Sequence, residues 1–178
     1  MDELVLHAAP DAPASRATLW ALARKGLVAR LVEVAPDARL VEDVGPPLLE
    51  VAGVPVAGFR AIAFRLERAH SEPSFFPADS RRRNQAGTLA EFAECVVEPL
   101  LERARADSSA DLGELLSALA QVRDAIRHGA LDRGEAHLGD IAVAAMLVSV
   151  AEIEALDFAR DYADLAAYTE RVRALCRL

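Results

Sequence analysis

The most constraining feature of the sequence is the stretch GPPLLEVAGVPVAGFRAIAFRLER, which begins at Gly45. Two short runs that favour β-structure, Leu48 to Val51 and Val54 to Ala57, flank Ala52-Gly53, and this arrangement is a hairpin signal. The residues from Ala61 to Ala69 then favour a helix directly after the second strand. The stretch therefore predicts an α/β unit that contains an antiparallel hairpin.

The residues before this stretch predict a strand, a helix and a second strand. Leu4 to Leu6 favours a strand, and Ser15 to Lys25 favours a helix that ends at Gly26 with cations in its last turn. Leu27 to Val34 alternates in polarity as a strand does. If the two strands are parallel, these elements form a right-handed βαβ unit.

The rest of the chain predicts a bundle of helices. The segment HSEPSFFPAD, from His70, has two prolines and no periodicity, so we interpret residues 71–79 as a linker between residues 1–70 and 80–178. Four helices are expected after it, over residues 82–105 with a bend at Pro99, 111–128, 140–156 and 162–175. The helix from Asp140 is apolar nearly all round and should form the buried centre of the bundle.

Composition excludes several classes of function. The net charge of -8 argues against a nucleic-acid surface, although Arg81-Arg82-Arg83 could bind an acidic partner or simply solvate a helix start. The two cysteines, Cys95 and Cys176, have no neighbours at metal-ligand spacing, so neither a disulfide framework nor a metal site is expected. The longest apolar run, residues 141–150, is about half of what a bilayer requires, and the acidic N-terminus favours a cytoplasmic location.

Four stretches in this order resemble the glutathione S-transferase superfamily. LHAAPDAPASRATLWALARKGL, from Leu6, is similar to its first strand, active-site loop and first helix, and PPLLEVAGVPVAGFRAIAFRLER is similar to its next strands and helix, with Pro47 at the family's cis-proline. HLGDIAVAAM, from His137, and DYADLAAYTERVRAL, from Asp161, resemble its buried and penultimate helices. The resemblance implies an α/β thioredoxin-like N-terminal domain followed by an all-α helical C-terminal domain.

The residues that would hold glutathione depart from the family pattern. The loop hydroxyl and the tyrosine that stabilise the thiolate in the family are replaced by Ala12 and Ala8. Pro46, before the cis-proline, has no N–H to donate to the ligand backbone. Gly58-Phe59 stands where the family has an acidic or amide residue followed by Ser. The glutathione site is therefore expected to be degenerate.

The connection between the second and third strands also departs from the family pattern, and a few polar residues are candidates for a role in the cleft or in helix capping. Residues 36–46 are too few for the family's helix and flanking loop between the second and third strands; alternatively, Arg39 to Asp43 makes a single irregular turn, and in either case the cleft lacks one wall. The cleft candidates are His7, which could instead be packed, and Ser15, which could instead be an N-cap. Asp140 should cap its helix by accepting a backbone N–H, with His137 where the family usually has Ser or Thr.

These departures favour a non-catalytic interaction or assembly module, with weak or absent glutathione binding and no cofactor. Two alternatives remain at this point: a glutathione transferase-like enzyme with a non-standard site, and a carrier of small hydrophobic ligands between Trp20, Phe59 and the long helix. The resemblance also implies a homodimer, paired through the family's third and fourth helices. Phe75, Phe76 and Phe92 are the apolar residues expected to reach that interface.

Overall fold

A computed structural model describes residues 3–41, 44–106, 112–131 and 134–177. The N-terminal part runs in the order β1 (Leu4–Ala8), α1 (Pro13–Arg24), β2 (Arg30–Glu33), β3 (Leu48–Val51), β4 (Val54–Ala57) and α2 (Phe59–Ala69). The four-stranded sheet has the order β2-β1-β3-β4, with β2 parallel to β1 and the other neighbours antiparallel. Residues 34–41 and 44–47, between β2 and β3, contain no helix.

The C-terminal part is helical. It contains α3 (Ser80–Phe92), a π-helical turn (Ala93–Val97), α4 (Glu98–Ala106), α5 (Gly113–Arg127), α6 (Leu138–Val150), α7 (Phe158–Asp161) and α8 (Ala163–Leu175). A mixed sheet followed by these helices confirms the predicted fold class, a thioredoxin-like part followed by an all-helical part.

The bounds of several helices differ from the sequence prediction. Helix α1 begins at Pro13 rather than Ser15, because proline fits the first helical position. Helix α6 ends at Val150 rather than Leu156, and the short helix α7 was not predicted. The predicted start of α5 at Asp111 lies outside the described residues.

The long helix contains a π-helical turn directly before Pro99, the residue at which a bend was predicted. Proline has no N–H to donate to the carbonyl of Cys95 one turn earlier, and the helix widens over Ala93–Val97, directly before Glu98-Pro99. The turn joins α3 to α4 without ending the helix.

Helix α6 is the centre of the molecule. Every residue of α6 except Val148 is buried, and one hydrophobic cluster joins it to α1, α2 and the sheet. The approach of α3 is close at Gly139, where an added Cβ would lie 2.8 Å from the Ala86 carbonyl oxygen. The predicted buried helix is therefore confirmed.

The segment predicted to be a linker is anchored by a buried lysine. The Lys25 side chain is fully buried, and its Nζ lies 4.2 Å from the centre of the Phe75 ring. The same Nζ donates to Glu67 Oε2 at 2.6 Å and to the carbonyls of His70 and Pro73 at 2.6 and 2.7 Å. Phe75 has no exposed surface, so the expectation that it reaches a dimer interface is wrong.

Candidate functional site

The residues of the predicted cleft meet where β1 ends and where α1, β3 and α2 begin. The Pro46-Pro47 peptide bond is cis, as the resemblance implied. The Gly58 N–H donates to the Pro47 carbonyl at 2.9 Å, which ties the start of α2 to the loop before β3. Pro46, Pro47, Gly58 and Phe59 therefore lie together at one end of the sheet.

Phe59 fills the space in front of α1. Its side chain is only 1% exposed, and it lines a cavity of about 10 Å³ with Pro13, Ala14, Ala17, Ala93, Glu94, Glu98, Ala142 and Met146. A single water needs roughly 10–15 Å³. The cavity that Phe59 lines therefore has room for about one water molecule, and Trp20, at 6% exposed, is packed in the same hydrophobic core.

The active-site loop offers methyl groups where the family has polar ones. Ala8 is fully buried at the end of β1, and Ala12 is the N-cap residue of α1, where its methyl group cannot accept a hydrogen bond from a backbone N–H. Ser15 is not the N-cap, because the helix begins at Pro13 and Ser15 is its third residue. The Ser15 Oγ is buried and accepts the Ala9 N–H at 3.1 Å, which makes its role structural.

His7 lies on the other face of the sheet from the cleft-side core. Its neighbours Leu6 and Ala8 belong to the main hydrophobic cluster, and successive strand residues point to opposite faces. The His7 Nε2 lies 3.0 Å from Glu50 Oε1 on β3. His7 is therefore paired across two strands and does not line the cavity.

Two carboxyl groups of the long helix line the cavity, and sequence reasoning missed both. Glu94 Oε2 accepts a hydrogen bond from Arg60 Nε at 2.5 Å, yet burial leaves the pKa of Glu94 raised. Burial, Glu102 and Glu94 raise the pKa of Glu98 to about 7. The available signal was the acidic side chain at every fourth residue of this helix, which places the carboxyls on one face.

A second polar cluster joins α1 to α6. Arg16 donates through Nη1 to Ser149 Oγ at 2.5 Å and through Nη2 to Glu152 Oε1 at 3.0 Å. Arg105 donates to the other oxygen of Glu152 at 2.5 Å. The guanidinium groups of Arg16 and Arg105 therefore both donate to acceptors within the protein.

Asp140 caps α6, as predicted. Its Oδ2 accepts the His137 N–H at 3.0 Å, and the Tyr168 hydroxyl donates to its Oδ1 at 3.1 Å. His137 is 5% exposed, with Nε2 3.2 Å from Glu135 Oε2, and burial lowers its pKa from 6.5. These contacts describe a buried helix entrance rather than a catalytic base.

Neither a metal-ligand group nor a membrane-spanning helix occurs within the described ranges. No group of three or more His, Cys, Asp or Glu residues in those ranges is placed to hold a metal ion. None of the described helices is long and apolar enough to cross a membrane.

Comparison with known proteins identifies the fold. No protein-family model matches the sequence, and a search of curated proteins found no significant match. Among solved structures, a glutathione S-transferase from Rhodospirillum rubrum F11 is similar with a TM-score of 0.74 and 21% identity, covering 96% of this chain and 88% of that chain.

Two further solved structures are similar over nearly their full length. Maleylacetoacetate isomerase from Anaeromyxobacter dehalogenans 2CP-1, with dicarboxyethyl glutathione and citrate in its active site, has a TM-score of 0.75 and 22% identity over 99% of this chain and 91% of that chain. FzlA from C. crescentus has a TM-score of 0.74 and 22% identity, covering 98% of this chain and 89% of that chain. The chain thus has the glutathione S-transferase fold.

Proposed function

We propose that this chain is a non-catalytic, self-associating interaction module of the cytoplasm, built on the glutathione S-transferase fold with a degenerate glutathione site. The observation that carries the proposal is the small volume, about 10 Å³, of the cavity in front of α1, where Phe59 is buried. A small-molecule site in a protein usually measures several hundred Å³, about 300–1,000 Å³. The buried Phe59 ring and its neighbours leave no such volume in this cavity, which supports a cleft without a small-molecule ligand.

The energetics of the missing contacts support the same conclusion. Pro46 lacks a main-chain donor, Gly58 lacks a side chain, and Ala12 lacks a hydroxyl. An unpaired polar contact costs on the order of 1–3 kcal/mol. Since about 1.4 kcal/mol corresponds to a tenfold change in affinity, three such losses weaken binding by several powers of ten.

A transferase-like enzyme is the second candidate, favoured by similarity to an isomerase solved with a glutathione derivative in its active site. The test is titration calorimetry with millimolar glutathione, together with a turnover assay on a chlorinated aromatic substrate. The A. dehalogenans isomerase serves as the positive control for binding. We expect no saturable heat and no turnover from this chain, and clear saturation or turnover would replace the module with the enzyme.

The self-associating surface that we propose is the α2/α3 face, formed by Phe64, Arg68, Phe76, Arg83 and Thr88. These residues line an open groove of about 700 Å³. Phe64 is 54% exposed and stacks on the Phe76 ring, with 4.9 Å between ring centres. An exposed aromatic pair beside a groove is a feature of interaction surfaces.

The charge pattern of the long helix favours a second copy as the partner. Arg81, Arg82 and Arg83 follow its N-terminus, whereas the exposed Glu91 and Glu102 follow later. Cations at a helix N-terminus oppose the helix dipole, so this order does not serve the helix itself. An antiparallel, two-fold pairing would place the basic end of each copy against the acidic end of the other.

Sedimentation of charge-inverted variants tests this pairing. One variant carries Arg81→Glu and Arg83→Glu, and the other carries Glu91→Arg and Glu102→Arg. Each should be monomeric at tens of micromolar, while their equimolar mixture should form a dimer, because opposite charges then face each other. A natural protein that is monomeric, or a mixture that does not pair, would contradict the homodimer.

A hydrophobic substitution supplies an independent check. Phe64→Glu should weaken the dimer, whereas Val28→Glu should not, since Val28 is 91% exposed but lies outside the α2/α3 face. Equal effects of the two substitutions would mean that the α2/α3 face is not the interface.

A further inference from the structure

The two neighbouring phenylalanines before α3 are placed on opposite sides of the chain. Phe75 has no exposed surface, whereas Phe76 is half-buried and stacks on the exposed Phe64 ring of α2. Burial in the core is favourable for either ring, so hydrophobicity alone does not decide which of the two is buried. The choice therefore depends on the directional contacts of the backbone around them.

One carboxylate holds this part of the chain through both of its oxygens. Glu67 Oε2 accepts the Phe75 N–H at 3.0 Å and also accepts from the buried Lys25 Nζ at 2.6 Å. Glu67 Oε1 lies 2.6 Å from the Ser74 hydroxyl. An ionised carboxylate accepts several hydrogen bonds and donates none, so each of these partners is a donor. Glu67 therefore ties two successive residues to α2 and to Lys25.

The Ser74 hydroxyl extends this contact to Phe76. Its single hydrogen has two acceptors within reach, Glu67 Oε1 at 2.6 Å and the Phe76 carbonyl at 3.0 Å, and the charged carboxylate is the stronger acceptor. The same Ser74 Oγ accepts the Phe76 N–H at 3.0 Å. A chain of hydrogen bonds thus runs from Lys25 through Glu67 and Ser74 to the backbone of Phe76.

The peptide group between the two phenylalanines is held at both ends. The Phe75 carbonyl accepts the Leu138 N–H at 2.9 Å, and the N–H of the same peptide group is that of Phe76, which donates to Ser74 Oγ. Because a peptide group is planar, contacts on both sides of it fix its rotation. The fixed peptide group leaves the Phe76 ring on the side of the chain where Phe64 lies, with 4.9 Å between the ring centres.

We propose that Glu67 and Ser74 are positioning residues of the α2/α3 face: they hold the Phe76 ring outside the core and so shape the surface that a second copy meets. Both residues line the same groove as Phe64 and Phe76. This role deepens the proposed function and rests on it, because that function gives the aromatic pair its part in self-association. The surface then depends on a polar network beneath it as well as on its exposed rings.

Fluorine NMR reads the position of the Phe76 ring within one copy. A 4-fluorophenylalanine placed at position 76 gives a single fluorine signal, and its chemical shift includes the ring current of the stacked Phe64 ring. The labelled chain also carries Glu91→Arg and Glu102→Arg, so that pairing between copies does not contribute to the shift. The change in shift that Phe64→Leu causes then measures the stack.

Removing the hydroxyl should release the ring. Ser74→Ala should remove most of the Phe64-dependent shift, because the Phe76 N–H loses its acceptor, whereas Ser74→Thr keeps a hydroxyl and should retain the shift. Glu67→Gln should also reduce it, since an amide offers one oxygen where the carboxylate offers two. Glu67→Gln decides the question if Ser74→Ala does not fold.

The matched control removes a hydroxyl elsewhere. Thr169→Val deletes a buried hydroxyl that donates to the Leu165 carbonyl at 2.9 Å within α8, outside the α2/α3 face. It should leave the Phe64-dependent shift unchanged even though it lowers stability. An unchanged shift in folded Ser74→Ala, or an equal loss in Thr169→Val, would overturn the positioning role.

Sedimentation of the same variants, with the natural charges restored, separates this role from the proposed function. Truncating an aromatic anchor of an interface commonly costs tenfold or more in affinity, so Ser74→Ala should raise the dimer dissociation constant by about tenfold, and Thr169→Val should not change it. Loss of the ring stack without any change in self-association would refute the α2/α3 interface and still support the positioning of Phe76. A retained stack in Ser74→Ala overturns the positioning role, whether or not the natural protein is a dimer.

Discussion

Phe59→Ser should destabilise the protein severely without restoring glutathione binding. The ring is 1% exposed and packs at the junction of α1, α2, α6 and the long helix. Truncation of a comparably buried phenylalanine costs about 3–5 kcal/mol. Since a domain of this kind has only about 5–15 kcal/mol of stability, the substitution removes a large fraction of it.

Restoring an acidic residue beside it adds a second penalty. Gly58 has φ 81° and ψ 142°, a backbone conformation that is essentially restricted to glycine. Gly58→Glu in the same chain should therefore cost a further ~1–3 kcal/mol of backbone strain. The double variant would hold the family's two side chains on a weakened helix start, while Pro46 still offers no main-chain donor.

Urea unfolding followed by Trp20 fluorescence measures both variants, and titration calorimetry with millimolar glutathione measures binding. Val54→Ser is the control, since Val54 lies on β4, outside the α2/α3 face, and is 58% exposed. We expect a clearly smaller loss for Val54→Ser than for Phe59→Ser. Equal losses, or saturable glutathione binding by the folded double variant, would refute the interpretation that Phe59 fills the ligand space.

Three further outcomes follow from buried contacts. Gly139→Ala should lower the free energy of unfolding by about 1–3 kcal/mol, because the new Cβ would lie 2.8 Å from the Ala86 carbonyl oxygen. Gly87→Ala, which has open space around it, should leave the stability unchanged. Thermal melts measure both. Lys25→Met should cost about 3–5 kcal/mol, because it leaves Glu67 and two carbonyls without their buried donor. Burial alone would raise the pKa of Glu67, but hydrogen bonds, first from Lys25, lower that pKa below 4.5. The stability that the ionised Glu67 contributes should therefore be lost as the pH falls below 4.5. Glu67→Gln should abolish that part of the acid sensitivity, and an unchanged dependence of stability on pH would contradict this prediction.

Local rules account for much of the fold. The hairpin has the strand bounds that the sequence predicted. Its two turn residues, Ala52 and Gly53, have φ of 52° and 77°, the positive values that a two-residue turn needs. Helix α1 ends as predicted before Gly26, which has φ 66°, and its Leu27 N–H donates back to the Leu22 carbonyl. Such features depend on neighbours in the chain, and the sequence displays them directly.

The parts that sequence reasoning missed depend on contacts between distant residues. Phe75 and Phe76 were both expected to reach an interface, but the buried Lys25 at the end of α1 holds the Phe75 ring inside, whereas Phe76 stacks on the exposed Phe64 ring. Glu98 lines the small cavity only because the fold brings the long helix against Ala14 of α1 and Phe59 of α2. Hydrophobic periodicity cannot reveal either partnership, because it describes one element at a time.

The π-helical turn Ala93–Val97 sets the rotational phase of everything after it on the long helix. A regular α-helix advances about 100° per residue, so one extra residue in a turn shifts all later side chains by about that angle. Glu94 and Glu98 both reach the cavity although they lie within and just beyond this wide turn. Deleting a single residue there would leave the composition of α4 unchanged but would turn Glu98 away from α1. The direction in which the Glu98 side chain points thus depends on the rotational phase of the helix as much as on the residue type.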